Sequence, residues 1–86
     1  MIHNVGFIPQ AAAEFDALDR QMQGRVTRAL NRLAQAPFAA TNVKAMAGGG
    51  YRLRVGDYRV LYRIEAAMLL VLVVKIGHRR EVYRAR

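Results

Sequence analysis

The chain has no cysteine, which removes both a disulfide framework and a thiolate metal site and suits a reducing compartment. Its two histidines, His3 and His78, lie far apart in sequence and lack metal-ligand spacing; no metal and no cofactor are expected. Acidic residues are scarce, six against 14 lysines and arginines, for a formal net charge of +8. Long apolar runs are missing too: the longest, Ala66 to Val74, falls well short of the roughly 20 residues a membrane helix needs. The first ten residues hold neither a basic stretch nor a long apolar one, so no secretory leader is expected. Together these features favour a soluble, cytoplasmic protein with an anionic partner, such as nucleic acid or an acidic protein, over a membrane module. At 86 residues a single small domain, 1–86, is expected. A chain of this size buries only about 60–65% of the surface it exposes when unfolded, so a partner that covers apolar surface adds stability.

The pattern of apolar residues supplies the elements. Ile2 to Pro9 reads as a strand that proline closes, and Gln10 to Leu18 as a helix with Ala11, Phe15 and Leu18 on one face. A longer helix is predicted from Asp19, its N-cap, to Ala36, with Met22, Val26, Ala29, Leu30 and Leu33 as its apolar stripe. Arg25, Arg28 and Arg32 take the opposite face, and Pro37 ends the helix. Phe38 to Gly50 reads as a connecting loop; no Gly-Lys-Ser/Thr follows its glycines, and the next element is a strand, so it is not a phosphate loop. Tyr51–Val55 and Tyr58–Glu65 form a hairpin about Gly56-Asp57. Ala66-Ala67 then turns the chain into a strand, Met68 to Ile76, apolar on both faces as in the covered middle of a sheet. A turn of helix is expected in Arg79–Arg86. The order β-α-α-β-β-β predicts an α+β fold, with two helices on one face of a twisted, mainly antiparallel sheet and the other face left for function.

Charge is concentrated in Tyr51 to Arg86, which holds nine of the 14 lysines and arginines and +6 of the net charge. With a two-residue turn, Val55 pairs with Tyr58, Arg54 lies opposite Arg59, and Arg52 lies opposite Leu61 on the same side of the sheet. Opposed like charges destabilise a strand pair by a few tenths to about 1 kcal/mol. A chain selected only for folding tends to break up such a group, which favours anion binding over a merely solvated face. Arg79, after Gly77-His78, is expected near the end of this cluster, with Tyr83 four residues on.

The run Tyr-Arg-Leu-Arg-Val-Gly-Asp-Tyr-Arg-Val-Leu-Tyr from Tyr51, with Gly-His-Arg-Arg-Glu-Val-Tyr after the apolar strand, resembles the RelE family of bacterial toxins. Asn42-Val43-Lys44-Ala45-Met46 before the glycines fits as well, and the resemblance covers essentially the whole chain. It implies a ribosome-dependent endoribonuclease that cuts mRNA in the ribosomal A site and is neutralised by a RelB-like antitoxin. The ParE toxins, which share the fold and target DNA gyrase, are close relatives. The family's basic and tyrosine positions carry over onto Arg52, Arg54, Arg59, Arg79 and Tyr83. RelE has lysines at the first two of these, and arginine, unlike lysine, does not give up its proton near any working pH.

Metal-free RNA cleavage needs a base for the 2′-OH, charge stabilisation on the phosphate, and an acid for the departing 5′-oxygen. On this reading Arg54, Arg59, Arg79 and Tyr83 form the catalytic group, with Arg59 and Arg79 clamping the phosphate. Arg52, Arg28, Arg32 and His78 are the candidate RNA-binding residues, and the base is unassigned. The expected partners are ribosome and mRNA, and an antitoxin whose acidic segment folds onto the basic surface. Contact with DNA is expected only through the antitoxin. A ParE-like gyrase inhibitor and a catalytically degenerate antitoxin-binding module are the alternatives.

Overall fold

A computed structural model of the chain describes residues 3–37 and 42–78. The chain runs through β1 (Asn4–Phe7), α1 (Pro9–Asp16), α2 (Arg20–Gln35), β2 (Val43–Ala45), β3 (Tyr51–Val55), β4 (Tyr58–Glu65), a 3-10 turn (Ala66–Met68) and β5 (Leu70–His78). The five strands form one sheet in the order β1-β5-β4-β3-β2. Only β1 and β5 pair in parallel, with Val5 beside Val71 and Phe7 beside Val73; the other neighbours are antiparallel. The α+β architecture expected from the sequence is therefore present, with one more strand than expected. Both helices pack on the same face of the sheet, where Ala11, Val26, Leu30 and Leu33 meet Leu53, Val60, Tyr62, Val71, Val73 and Ile76.

Local chemistry explains the boundaries. Pro9 does not close β1; it opens α1, in the first turn, where its missing N–H leaves no bond unmade. The preceding Ile8 N–H donates instead to Val73 O at 3.0 Å. Helix α1 stops at Asp16, and its last carbonyls are taken up by the Gln23 amide, which donates to Phe15 O at 3.1 Å and to Asp16 O at 3.4 Å. Asp19 caps α2 as expected, Oδ1 accepting from Met22 N–H at 2.8 Å.

The segment expected to be a plain loop contains β2, which lies along β3 with Lys44 opposite Arg52. The turn that follows is closed by Met46 N–H donating to Gly50 O at 3.0 Å. Gly50 is required there: its φ is +84°, and a Cβ at that place would stand 3.1 Å from the Tyr62 carbonyl oxygen. The final strand is also displaced, starting at Leu70 after the 3-10 turn and a left-handed Leu69 (φ 50°). It is not the middle strand, and one face only is buried: Val71, Val73 and Ile76 are enclosed while Leu70, Leu72 and Val74 are half-exposed. A bulge opposite Leu61/Tyr62, with Val74 as the extra residue, explains why the buried positions step from 73 to 76.

Strand β1 covers β5 only as far as Val73, so the edge beyond it needs another partner. Helix α1 provides it. Glu14 Oε1 accepts from Ile76 N–H at 2.8 Å, and Oε2 accepts from Lys75 Nζ at 3.0 Å and Gln10 Nε2 at 3.3 Å. Burial pushes the Glu14 carboxyl up, but the Ile76 amide, Lys75 and Gln10 together outweigh it and hold the group below its ordinary value of 4.5. A carboxylate whose pKa is depressed by folding stabilises the protein above its unfolded value and loses that contribution as pH falls through the folded one. Urea unfolding should therefore find Glu14→Gln less stable than wild type at neutral pH. The gap should narrow as pH drops below about 4.5; a gap independent of pH would contradict the assignment.

Candidate nucleic-acid interface

The hairpin sets the register of the outer face. Gly56 takes the first turn position with φ +59°, a conformation that suits glycine. Val55 pairs with Tyr58, Arg54 with Arg59 and Arg52 with Leu61, as expected from the sequence. Beneath them Leu53, Val55, Val60 and Tyr62 are buried against the helices, so Arg52, Arg54 and Arg59 necessarily point the other way. Tyr51 and Tyr62 stack beneath the hairpin at 5.5 Å between ring centroids. Burial, with a smaller contribution from Tyr51, pushes the Tyr62 phenol up to about 12, so it stays protonated at neutral pH.

Strand β2 adds a fourth cation to this face. Lys44, opposite Arg52, joins Arg52, Arg54 and Arg59 around a cleft of about 380 Å³, with Asn42 and Val43 completing the described wall. The Asn42 side chain donates to Arg54 O at 2.9 Å, and Arg54 N–H donates to Asn42 O at 3.1 Å. This double link fastens the start of β2 to the end of β3 and fixes where Arg54 emerges. On the other side of β4, Arg59 lies opposite Gly77, which presents no side chain beside it. Arg59 Nη1 donates to the Tyr58 carbonyl at 3.3 Å, leaving the rest of the fork available. Among the described residues no carboxylate lines the cleft.

The remaining candidates divide. Arg28 and Arg32 lie on α2 and, with Arg25, line a second cleft that shares Asn42 and Arg54 with the first. His78 lies apart from both. It pairs with Tyr58 and meets that ring edge-on at 5.7 Å, on the helix side of the sheet. The β5 bulge accounts for this by shifting the side-chain alternation by one place. Arg63 continues the outer face but is engaged by Glu65 at 3.8 Å, an exposed pair of little energetic weight. Arg79 and Tyr83, and the expected helical turn in the tail, lie outside the described residues. Sequence reasoning assigned no role to Lys44 or Asn42. Both fall in the segment read as a loop, and only the pairing of β2 with β3 brings them to the cleft.

Chemically the cleft is suited to a phosphodiester. Guanidinium forks bind phosphate oxygens in pairs and stabilise charge that develops on phosphorus.

A model of the "ParE toxin of type II toxin-antitoxin system, parDE" family matches residues 5–83. The chain belongs to this family, and with it to the RelE/ParE superfamily of type II toxins. Solved structures agree on the fold. The RelBE2 toxin–antitoxin complex from Mycobacterium tuberculosis is 24% identical, with a TM-score of 0.79 over 91% of this chain and 92% of that one. The RelE–RelB complex from Pyrococcus horikoshii OT3 is 24% identical, with a TM-score of 0.76 over 92% and 97%. The intact RelBE complex from E. coli is 22% identical, with a TM-score of 0.77 over 88% and 95%. A comparison with curated proteins finds no match. Among the described residues no helix is long and apolar enough to cross a membrane.

The opposition of Arg54 and Arg59 carries a measurable cost. Arg54→Thr should raise stability at low salt by a few tenths to about 1 kcal/mol, and the gain should shrink as salt screens the pair. Chemical denaturation at two ionic strengths checks this; a loss of stability at low salt would show that the pair is not repulsive.

Proposed function

We propose that this toxin acts as a metal-independent, ribosome-dependent endoribonuclease that cuts mRNA in the A site. The observation that carries this reading is the convergence of Lys44, Arg52, Arg54 and Arg59 on one open cleft. In the proposed reaction the 2′-oxygen attacks the adjacent phosphorus in line with the departing 5′-oxygen. The P–O5′ bond breaks, and the upstream fragment ends in a 2′,3′-cyclic phosphate. Arg52 and Arg54 hold the backbone. Arg59, joined by Arg79 as the RelE resemblance implies, neutralises the charge that builds on phosphorus. Lys44, beside Arg52, lowers the charge cost of the forming 2′-alkoxide, and the displaced 2′-OH proton passes to solvent. The leaving oxygen takes a proton from solvent.

The cognate partner in this reading is an antitoxin with an acidic segment that folds over the basic face. Its support is the presence of RelB antitoxins in the related solved complexes. The complex would act in the cytoplasm and touch DNA through the antitoxin.

Primer extension on a reporter mRNA in a purified translation system tests the proposal. New stops at A-site codons are expected with wild type, reduced about 10²–10³-fold in rate with Arg59→Ala. Arg79→Ala should abolish arrest while antitoxin binding persists. The family match keeps one other reading in view, a gyrase inhibitor. Intact mRNA together with loss of gyrase supercoiling would establish that reading and overturn the nuclease.

A further inference from the structure

The second cleft, between α2 and the hairpin tip, has a chemistry of its own. Arg25, Arg28 and Arg32 recur at spacings of three and four and so share one exposed face of α2. Like charges at these spacings disfavour a helix by about 0.2–0.5 kcal/mol each. No acidic residue within Arg20–Gln35 relieves them. The three arginines face Asn42, Arg54 and Gly56 across a cleft of about 280 Å³, and among the described residues no carboxylate lines it.

The wall is built for this arrangement. A Cβ at Gly56 would stand 3.1 Å from both Nη1 and Nη2 of Arg25, so the guanidinium rests on the bare turn. Gly56 therefore serves twice, by adopting the positive φ of the hairpin turn and by giving Arg25 a seat. Arg54 and Asn42 line this cleft and the sheet-face cleft alike. The cations consequently run as one track from the outer face, round the end of β3, to α2.

We propose that the second cleft is a phosphodiester subsite that grips the RNA strand next to the segment held on the sheet face. The inference rests on the nuclease reading for its choice of RNA. Two features favour an RNA backbone over an acidic peptide. Among the described residues the apolar lining is limited to Ala29 and Val55, too little for the hydrophobic anchors by which a folding peptide docks. Continuity through Arg54 lets one polyanion occupy both clefts. Among the described residues no aromatic side chain lines the cleft, so it reads charge and not base identity.

The test is the salt dependence of binding of the full chain to a short, end-labelled 2′-O-methyl oligouridylate, which cannot be cut, followed by fluorescence anisotropy. For single strands the slope of log K against log salt is about 0.7 per phosphate contact. R25A/R28A/R32A should flatten the slope by about 2, and Arg28→Ala alone by about 0.7. R25K/R28K/R32K should restore most of it. Arg59→Ala, run in parallel, separates the two readings. A slope lowered by Arg59→Ala but untouched by the α2 variants overturns the subsite and leaves the nuclease reading in place. No salt-dependent affinity in wild type overturns the subsite as an RNA site; the primer-extension assay then decides the nuclease reading by itself. Unchanged RNA binding with lost binding of an oligoglutamate probe overturns the subsite in favour of a protein partner. Urea midpoints in the variants no lower than in wild type establish that the folded proteins are being compared.

Discussion

The register of the β3–β4 hairpin is the constraint on which everything else depends. A slip of one residue in β3 would carry Arg52 and Arg54 into the core and expose Leu53 and Val55, and the same slip in β4 would bury Arg59 and expose Val60 and Tyr62. Burying the apolar set is worth about 1.5–3 kcal/mol per large side chain, and unpaired guanidiniums in their place would cost far more. Repulsion between Arg54 and Arg59 is small beside either quantity. The sheet therefore holds cations opposite one another that would separate on a surface with less beneath it. The same register aims them, because strand side chains alternate strictly about the two-residue turn at Gly56-Asp57.

The two ends of the sheet answer different needs. At the β5 side an unfinished edge is closed by Glu14, the one carboxylate that links α1 to the strand backbone. At the β2 side Asn42 ties a three-residue strand to β3 and brings Lys44 to the cleft. Acidic chemistry thus serves the fold on one side, while the opposite side is left to cations. A chain with six acidic residues spends one of them on the edge of β5 and none on the described walls of either basic cleft. That division fits a surface that meets a polyanion.

Much of this was legible in the residues. The period-two alternation in 51–65 fixed both the hairpin and the pairing of Arg54 with Arg59, since a two-residue turn allows one register. Asp19 and the apolar stripe behind it located α2 to within a residue at its start. What was hidden depended on contacts distant in sequence. Val43–Ala45 is too short to show alternation and is a strand only because β3 lies beside it. Pro9 marks a boundary in either reading, and only the Ile8 bond to Val73 decides that a helix begins there. The β5 bulge has no local signature, yet it determines that His78 faces Tyr58 and not the arginines. Lys44 was seen as part of a motif but not as part of a site, because its neighbour Arg52 is reached only by pairing.

The central claim is that this cationic face promotes attack by a 2′-oxygen on the neighbouring phosphate. Mass spectrometry of the upstream fragment tests it most directly, using programmed ribosomes, wild-type toxin, and mRNA either unmodified or 2′-deoxy at the A-site nucleotide before the cut. The account predicts a 2′,3′-cyclic phosphate on the unmodified message and no cleavage of the deoxy-substituted one. A 3′-hydroxyl on the upstream fragment, or equal cutting of both messages, would contradict it.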